Sequence, residues 1–160
     1  MPFSIRPYRR FFGLAFVVCL LSLSSLVGAE SLWSGTWVLR ENPPGGHLTM
    51  KVEEVGTGWK LTYKVVGPTA AVSTVSTVLT PLDGKEAPVL INGEPSGQTM
   101  AIKRIDSRHT VTVVRYQGKE RSVAKSEISP NGKVLTVETD YATSNPIKLA
   151  GKQIEHWNRQ

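Results

Sequence analysis

The sequence predicts an all-β domain, an antiparallel up-and-down β-barrel of about 8–10 strands, preceded by a helical signal peptide. Three observations lead there. Apolar residues recur with a period of two rather than 3.6 over most of the chain. Gly, Asn, Asp and Pro interrupt these runs at short intervals, as successive hairpins require. The start of the chain has a composition of its own: all four Phe (Phe3, Phe11, Phe12, Phe16) and the single Cys, Cys19, fall within the first 19 residues.

That opening segment reads as an address. Arg6, Arg9 and Arg10 form a basic stretch, and no acid occurs before Glu30. Phe11 to Val27 is apolar or small, and Val27-Gly28-Ala29 places small residues where a signal peptidase needs them. The run is 17 residues long and diluted by Ser22, Ser24 and Ser25; a spanning helix needs about 20. Residues 1–29 are therefore expected to be a signal peptide cleaved after Ala29, leaving 30–160 as one domain without stable membrane insertion. Cys19 lies inside the apolar run behind Val18, unlike a lipoprotein cysteine, and Arg9-Arg10-Phe11-Phe12 matches a twin-arginine signal only in part. Tyr8 and the strongly apolar core after Phe12 favour the general secretory route, to the periplasm or the medium.

Composition narrows the function. A length of 160 residues fits one domain, and 14 Gly and 10 Pro scattered without a period exclude a collagenous chain. One Cys excludes an internal disulfide framework. Removing Arg6, Arg9 and Arg10 with the signal lowers the formal net charge from +6 to +3. No basic run interleaved with aromatics remains, so no nucleic-acid partner is expected. The expected state is a monomer that needs no cofactor.

The strands follow in order. Trp33 to Leu39 opens the domain. Leu48, Met50 and Val52 alternate with Thr49, Lys51 and Glu53; Trp59, Leu61, Tyr63 and Val65 alternate with Lys60, Thr62 and Lys64. Such strands bury one face and wet the other. Ala71 to Leu79 is rich in Val and Thr, which favour extended backbone. Met100 and Ile102 alternate with Ala101 and Lys103, and Arg108–Tyr116, Glu120–Ile128, Lys133–Tyr141 and Gln153–Arg159 complete the set. Gly56-Thr57-Gly58, Asp83-Gly84, Gln117-Gly118 and Pro130-Asn131-Gly132 are the expected reversals, with Pro68, Pro81, Pro88, Pro95 and Pro146 between strands. Ala87 to Gly97, with Pro88, Asn92, Gly93, Pro95 and Gly97, reads as a short strand plus a loop.

Catalytic chemistry finds no support in the spacing. His47, His109 and His156 are far from one another and from Cys, so no metal site is predicted. Ser96 in Gly93-Glu94-Pro95-Ser96-Gly97 lacks the spacing and the helix of a nucleophile elbow and reads as a turn residue. Glu53 and Glu54 point to opposite strand faces; Glu138 and Asp140 share one, near a strand end in solvent. Gly56-x-Gly58 is a hairpin, not a phosphate loop. No catalytic residue and no enzyme activity are expected.

The interior of the barrel remains, since a barrel of about eight strands can enclose a small ligand. Trp59, Leu61, Tyr63 and Val65 form its best apolar wall. Arg104 shares a face with Met100 and Ile102, and Arg115 with Val111 and Val113. Pointing inward, each would be a cavity charge needing an anionic partner; at a strand end, each would snorkel to water. The candidate ligand-binding residues are thus Trp59, Tyr63, Arg104 and Arg115, with core filling as the alternative for the two aromatics.

Trp33-Ser34-Gly35-Thr36-Trp37-Val38-Leu39, a Gly-x-Trp at the first strand, resembles the opening of lipocalins and related calycin barrels. The resemblance implies that a basic side chain near the C-terminus packs over the first Trp, here Arg159 over Trp37, closing the barrel bottom by a cation–π contact. More closely, Gly35-Thr36-Trp37, Leu82-Asp83-Gly84-Lys85, Lys103-Arg104-Ile105-Asp106 and Ser129-Pro130-Asn131-Gly132-Lys133 are similar to pieces of short secreted bacterial lipocalin-like proteins of unassigned function. The Arg-x-Tyr carboxylate clamp of intracellular fatty-acid binders has no counterpart in Glu155-His156-Trp157-Asn158-Arg159. Lipocalin disulfides are absent, and no biotin-binding set of the avidin-like barrels maps onto the chain. The resemblance implies a fold without a ligand identity. The expected function is non-catalytic binding of a small hydrophobic or amphipathic molecule after export; the alternative is a cell-envelope interaction or structural module working through its loops, Ala87 to Gly97 above all.

Overall fold

The computed structural model describes residues 31–41, 46–67, 72–142 and 151–160. The predicted signal peptide and its cleavage site lie outside them. The described residues form ten strands: β1 (Gly35–Leu39), β2 (His47–Val55), β3 (Gly58–Val66), β4 (Val72–Thr80), β5 (Asp83–Ile91), β6 (Glu94–Arg104), β7 (His109–Tyr116), β8 (Lys119–Ile128), β9 (Val134–Tyr141) and β10 (Gly151–Arg159). Each pairs antiparallel with its neighbour in sequence, and β1 also pairs with β10 through Trp37↔Arg159 and Leu39↔Trp157. The chain is an all-β, up-and-down closed barrel of ten strands. Closure leaves no sheet edge at the β1–β10 seam.

The alternation read from sequence decides which side chains are inside. Trp37 and Leu39, Met50 and Val52, Trp59 and Leu61, and Val78 are buried and belong to one core with Val89, Ile102, Leu135 and Trp157. Their strand neighbours Lys51, Lys60 and Lys103 stand in solvent. A one-residue slip would exchange the two sets, so burial holds the register.

Two expectations are corrected. The β4–β5 reversal lies at Pro81-Leu82 rather than Asp83-Gly84: Leu82 has φ 65°, and its N–H donates to Thr80 Oγ1 at 3.2 Å. Asp83 and Gly84 begin β5 at a register shift, where Gly84 takes φ 84°. Ala87 to Gly97 is not a strand plus a loop but the tip of a long hairpin, β5 and β6 joined by Asn92-Gly93, with φ 51° and 89°. Both positive φ values suit the twist of a two-residue hairpin.

The prolines fit because the ladder is interrupted around them. β4 pairs with β5 only from Val78↔Val89 upward, so Pro88 stands where that ladder has ended, and a bulge separates Pro88 from Leu90 on the β6 side. Ser96 belongs to this bulge: its hydroxyl donates to the Val89 carbonyl at 2.6 Å and accepts the Gln98 N–H at 3.1 Å. Asn92 ties the hairpin to β4, its Oδ1 accepting the Val75 N–H at 3.0 Å and its own N–H donating to the Val75 carbonyl at 2.8 Å.

One end of the barrel is sealed. The segment Ser31–Ser34 brings the buried Trp33 to within 5.0 Å of Trp59, ring centre to ring centre. Trp33 Nε1 donates to the Ser107 carbonyl at 2.9 Å, and Trp37 Nε1 donates to the Trp33 carbonyl at 3.0 Å. Arg104 lies over the Trp59 ring at 4.8 Å and Arg159 over Trp37 at 5.2 Å. The Arg159 guanidinium also donates from Nη2 to the Leu32 carbonyl at 2.8 Å and to the Ser34 carbonyl. The floor is thus three indoles held by two guanidinium groups. Next to it, Gly58 is buried where a Cβ would meet the Thr80 carbonyl oxygen at 2.1 Å, so no larger residue fits.

Candidate ligand cavity

Above this floor lies a cavity of about 320 Å³. Its two sides differ in chemistry. β2, β3, β4 and β5 present Leu48, Met50, Leu61, Val78 and Val89, a mainly apolar wall to which β4 adds Ser76 and Thr77. β7, β8 and β9 present Thr110, Thr112, Ser122, Ser126 and Thr139, a wall of hydroxyls interleaved with Val114, Ala124, Leu135 and Val137. The first wall follows from sharp sequence alternation. The second has weaker contrast, because the inward positions of β7 to β9 mix Thr and Ser with Val, Ala and Leu while Val111, Val113, Val123 and Val134 occupy alternate positions.

One acid enters the cavity. Glu155, on β10 two residues before the buried Trp157, is the only charged side chain lining it among the described residues. Its Oε2 accepts Trp157 Nε1 at 3.3 Å. Burial raises the Glu155 pKa above the ordinary carboxylate range, and the bond from Trp157 pulls it part of the way back. Tyr63 and Tyr141, also in the lining, feel this charge. The Tyr63 phenol is pushed up to about 12, by burial first and by the Glu155 carboxylate second. Tyr141 moves in the same direction for the same two reasons. At neutral pH both are hydrogen-bonding phenols beside a carboxyl group. Trp59 Nε1 is buried and has no hydrogen-bond partner among the described residues.

The candidate residues separate into three places. Trp59 and Tyr63 line the cavity. Arg104 shares the parity of Met100 and Ile102, but at the strand end it is exposed and lies over Trp59, so its guanidinium is a floor clamp rather than a cavity charge. Arg115 is outside: β7 turns Thr110, Thr112 and Val114 inward, which puts Val111, Val113 and Arg115 on the outer surface. There Arg115 pairs with Glu86 at 2.9 Å and Glu120 at 3.8 Å. Trp37 and Arg159 belong to the floor.

None of the three histidines lines the cavity. His47 is exposed at the start of β2. His109 Nδ1 lies 2.8 Å from Asp106 and its Nε2 lies 3.6 Å from Glu127. His156 alternates outward beside Thr136, at 3.3 Å. Glu138 is paired with Lys152 at 2.8 Å on the outer face.

Sequence reasoning passed over Glu155. The signal was present: Glu155, Trp157 and Arg159 alternate on one strand face, so an inward Trp157 carries Glu155 inward with it. The hydroxyl wall had no such signal, because Ser and Thr are as common on wet faces as on dry ones.

A comparison of the chain with models of known protein families finds no match, and neither does one with functionally curated proteins.

Proposed function

We propose that this protein is an exported, non-catalytic binder of a small amphipathic molecule, built on a lipocalin-like barrel. One observation carries the reading: a cavity of about 320 Å³ with a mainly apolar side facing one richer in hydroxyls, above a floor sealed by tryptophans. Binding cavities are typically about 300–1,000 Å³, mostly apolar, with a few placed polar groups. The closed antiparallel barrel is consistent with the calycin resemblance of the Gly35-Thr36-Trp37 opening, and export rests on the sequence of residues 1–29. The alternative, an envelope module working through a loop at Ala87 to Gly97, loses that loop to the β5–β6 hairpin.

Native mass spectrometry of residues Glu30–Gln160, purified gently from the protein's own host, tests the proposal. The expected result is a co-purifying small molecule that is lost on denaturation. A clean unliganded mass, together with no response to a hydrophobic fluorescent probe, would overturn it.

A further inference from the structure

Resting on that binding reading, we propose that the cavity selects a protonated amine on an apolar body, with the ammonium seated against Glu155. The first argument is charge. No Lys, Arg or His lines the cavity among the described residues, so an anionic head group would find hydroxyl and N–H donors there but no cation, and the Glu155 carboxyl as the only charged group. Arg104 and Arg159, at the floor, are engaged with its indoles. A second carboxylate beside Glu155 would suffer both desolvation and like-charge repulsion.

The second argument is the surroundings of Glu155. Among the described residues its partner is the Trp157 N–H at 3.3 Å, a single bond for a group that can accept several. The titratable groups facing it are the phenols of Tyr63 and Tyr141, which lend no positive charge. On the neighbouring strand Glu138 points outward to Lys152, and on its own strand His156 points outward to Thr136. An ammonium entering here gains a charge-assisted bond to Glu155 and the negative faces of nearby aromatic rings. Its remaining N–H donors can reach hydroxyl oxygens of the polar wall, while the apolar body lies against Leu48, Met50 and Leu61.

Calorimetric titration of the purified protein at pH 7 with octylamine, 1-octanol and octanoate tests this, since the three share one chain and differ in head group. Octylammonium is expected to bind about tenfold tighter than octanol, the difference between a charge-assisted and a neutral hydrogen bond, with octanoate weakest. In Glu155→Gln the amine-to-alcohol ratio is expected to fall to about one, thermal melting verifying that the variant is folded. Octanol binding as tightly as octylamine would overturn the inference and leave the binding reading standing. An amine preference that persists in a folded Glu155→Gln would overturn it too, because the preference would then come from elsewhere. Binding of none of the three would also overturn it, and the native mass would then decide the binding reading separately. If Glu155→Gln does not fold, the order amine, alcohol, acid in the wild-type protein still decides.

Discussion

Arg159 on the last strand stands directly opposite Trp37 on the first, with its guanidinium carbon 5.2 Å from the centre of a fully buried indole. The same side chain donates to the carbonyls of Leu32 and Ser34, so one residue joins the β1–β10 seam to the segment under the floor. Arg159→Ala should cost about 2–3 kcal/mol, from a partly desolvated cation–π contact and two half-buried carbonyls left without this donor. Arg159→Lys should recover less than half, since an ammonium keeps the charge but lacks the planar, weakly hydrated guanidinium that lies over the Trp37 ring. Urea unfolding midpoints at constant slope measure both. A loss under about 0.5 kcal/mol for the alanine variant would show that the seam closes without this clamp.

Glu155 gives a pH signature opposite to that of the surface acids. Burial raises its folded-state pKa above the unfolded one, so its contribution is fully present below the unfolded pKa and is lost as pH rises through the folded pKa. Glu53, Asp83, Asp106 and Glu138 are lowered by hydrogen bonds from Lys51, Lys85, Arg108 with His109, and Lys152; their contributions are lost as pH falls. The difference between wild type and Glu155→Gln cancels these common terms. Without ligand, Glu155→Gln is expected to melt above wild type at pH 7, and the gap should narrow towards pH 4. A gap independent of pH would mean that Glu155 is as well solvated in the folded state as in the unfolded chain.

Tyr63 should remain a neutral phenol well after an ordinary tyrosine has ionised. Its pKa is pushed up to about 12, so the stability it contributes is present below the ordinary value of 10.0 and is lost as pH rises through about 12. Ultraviolet titration of phenolate absorbance should show a late-ionising component, removed by Tyr63→Phe, that coincides with alkaline unfolding. Titration of the whole tyrosine absorbance in one step near 10 would show that Tyr63 is in open water.

Ala124 lines the polar side of the cavity between Ser122 and Ser126 on β8. Ala124→Phe projects a ring into space that is empty of protein atoms, so the fold should be retained at a cost of less than about 1–2 kcal/mol. Uptake of a hydrophobic fluorescent probe should fall at least about tenfold, the effect of occupying the space a ligand needs. Probe binding that survives in the folded variant would place the probe on the outer surface.

The legible part of this protein was the part written in local alternation. Leu48, Met50 and Val52 against Thr49, Lys51 and Glu53, or Trp59, Leu61 and Tyr63 against their lysines, assign strand and face together, because side chains two residues apart share one side of the pleat. An antiparallel barrel of about eight to ten strands, most of the reversals and the all-β class follow from that pattern and from the turn residues. It weakened where contrast was lost. β7 carries Val on both faces, Val114 beside Thr110 and Thr112 on one and Val111 and Val113 on the other, so the sequence admitted Arg115 as an inward residue while the barrel puts it outside with Glu86 and Glu120. Pro88 and Pro95 masked a hairpin, because whether a proline breaks a ladder depends on whether a partner strand is there to bond.

Residues distant in the chain decided the rest. Closure brings β10 to β1, and with it Arg159 to Trp37; the turn after β6 brings Ser107 to Trp33. Glu155 becomes the lone charge of the cavity because the walls around it carry no cation among the described residues, a fact about the far side of the barrel that no window of sequence around Glu155 contains. The sequence by itself determined that the strongly alternating segments are extended and which of their two faces is apolar, since both are settled between neighbours two positions apart. Only the tertiary structure decided what the enclosed space contains, because a cavity is composed jointly by strands that meet only when the sheet closes.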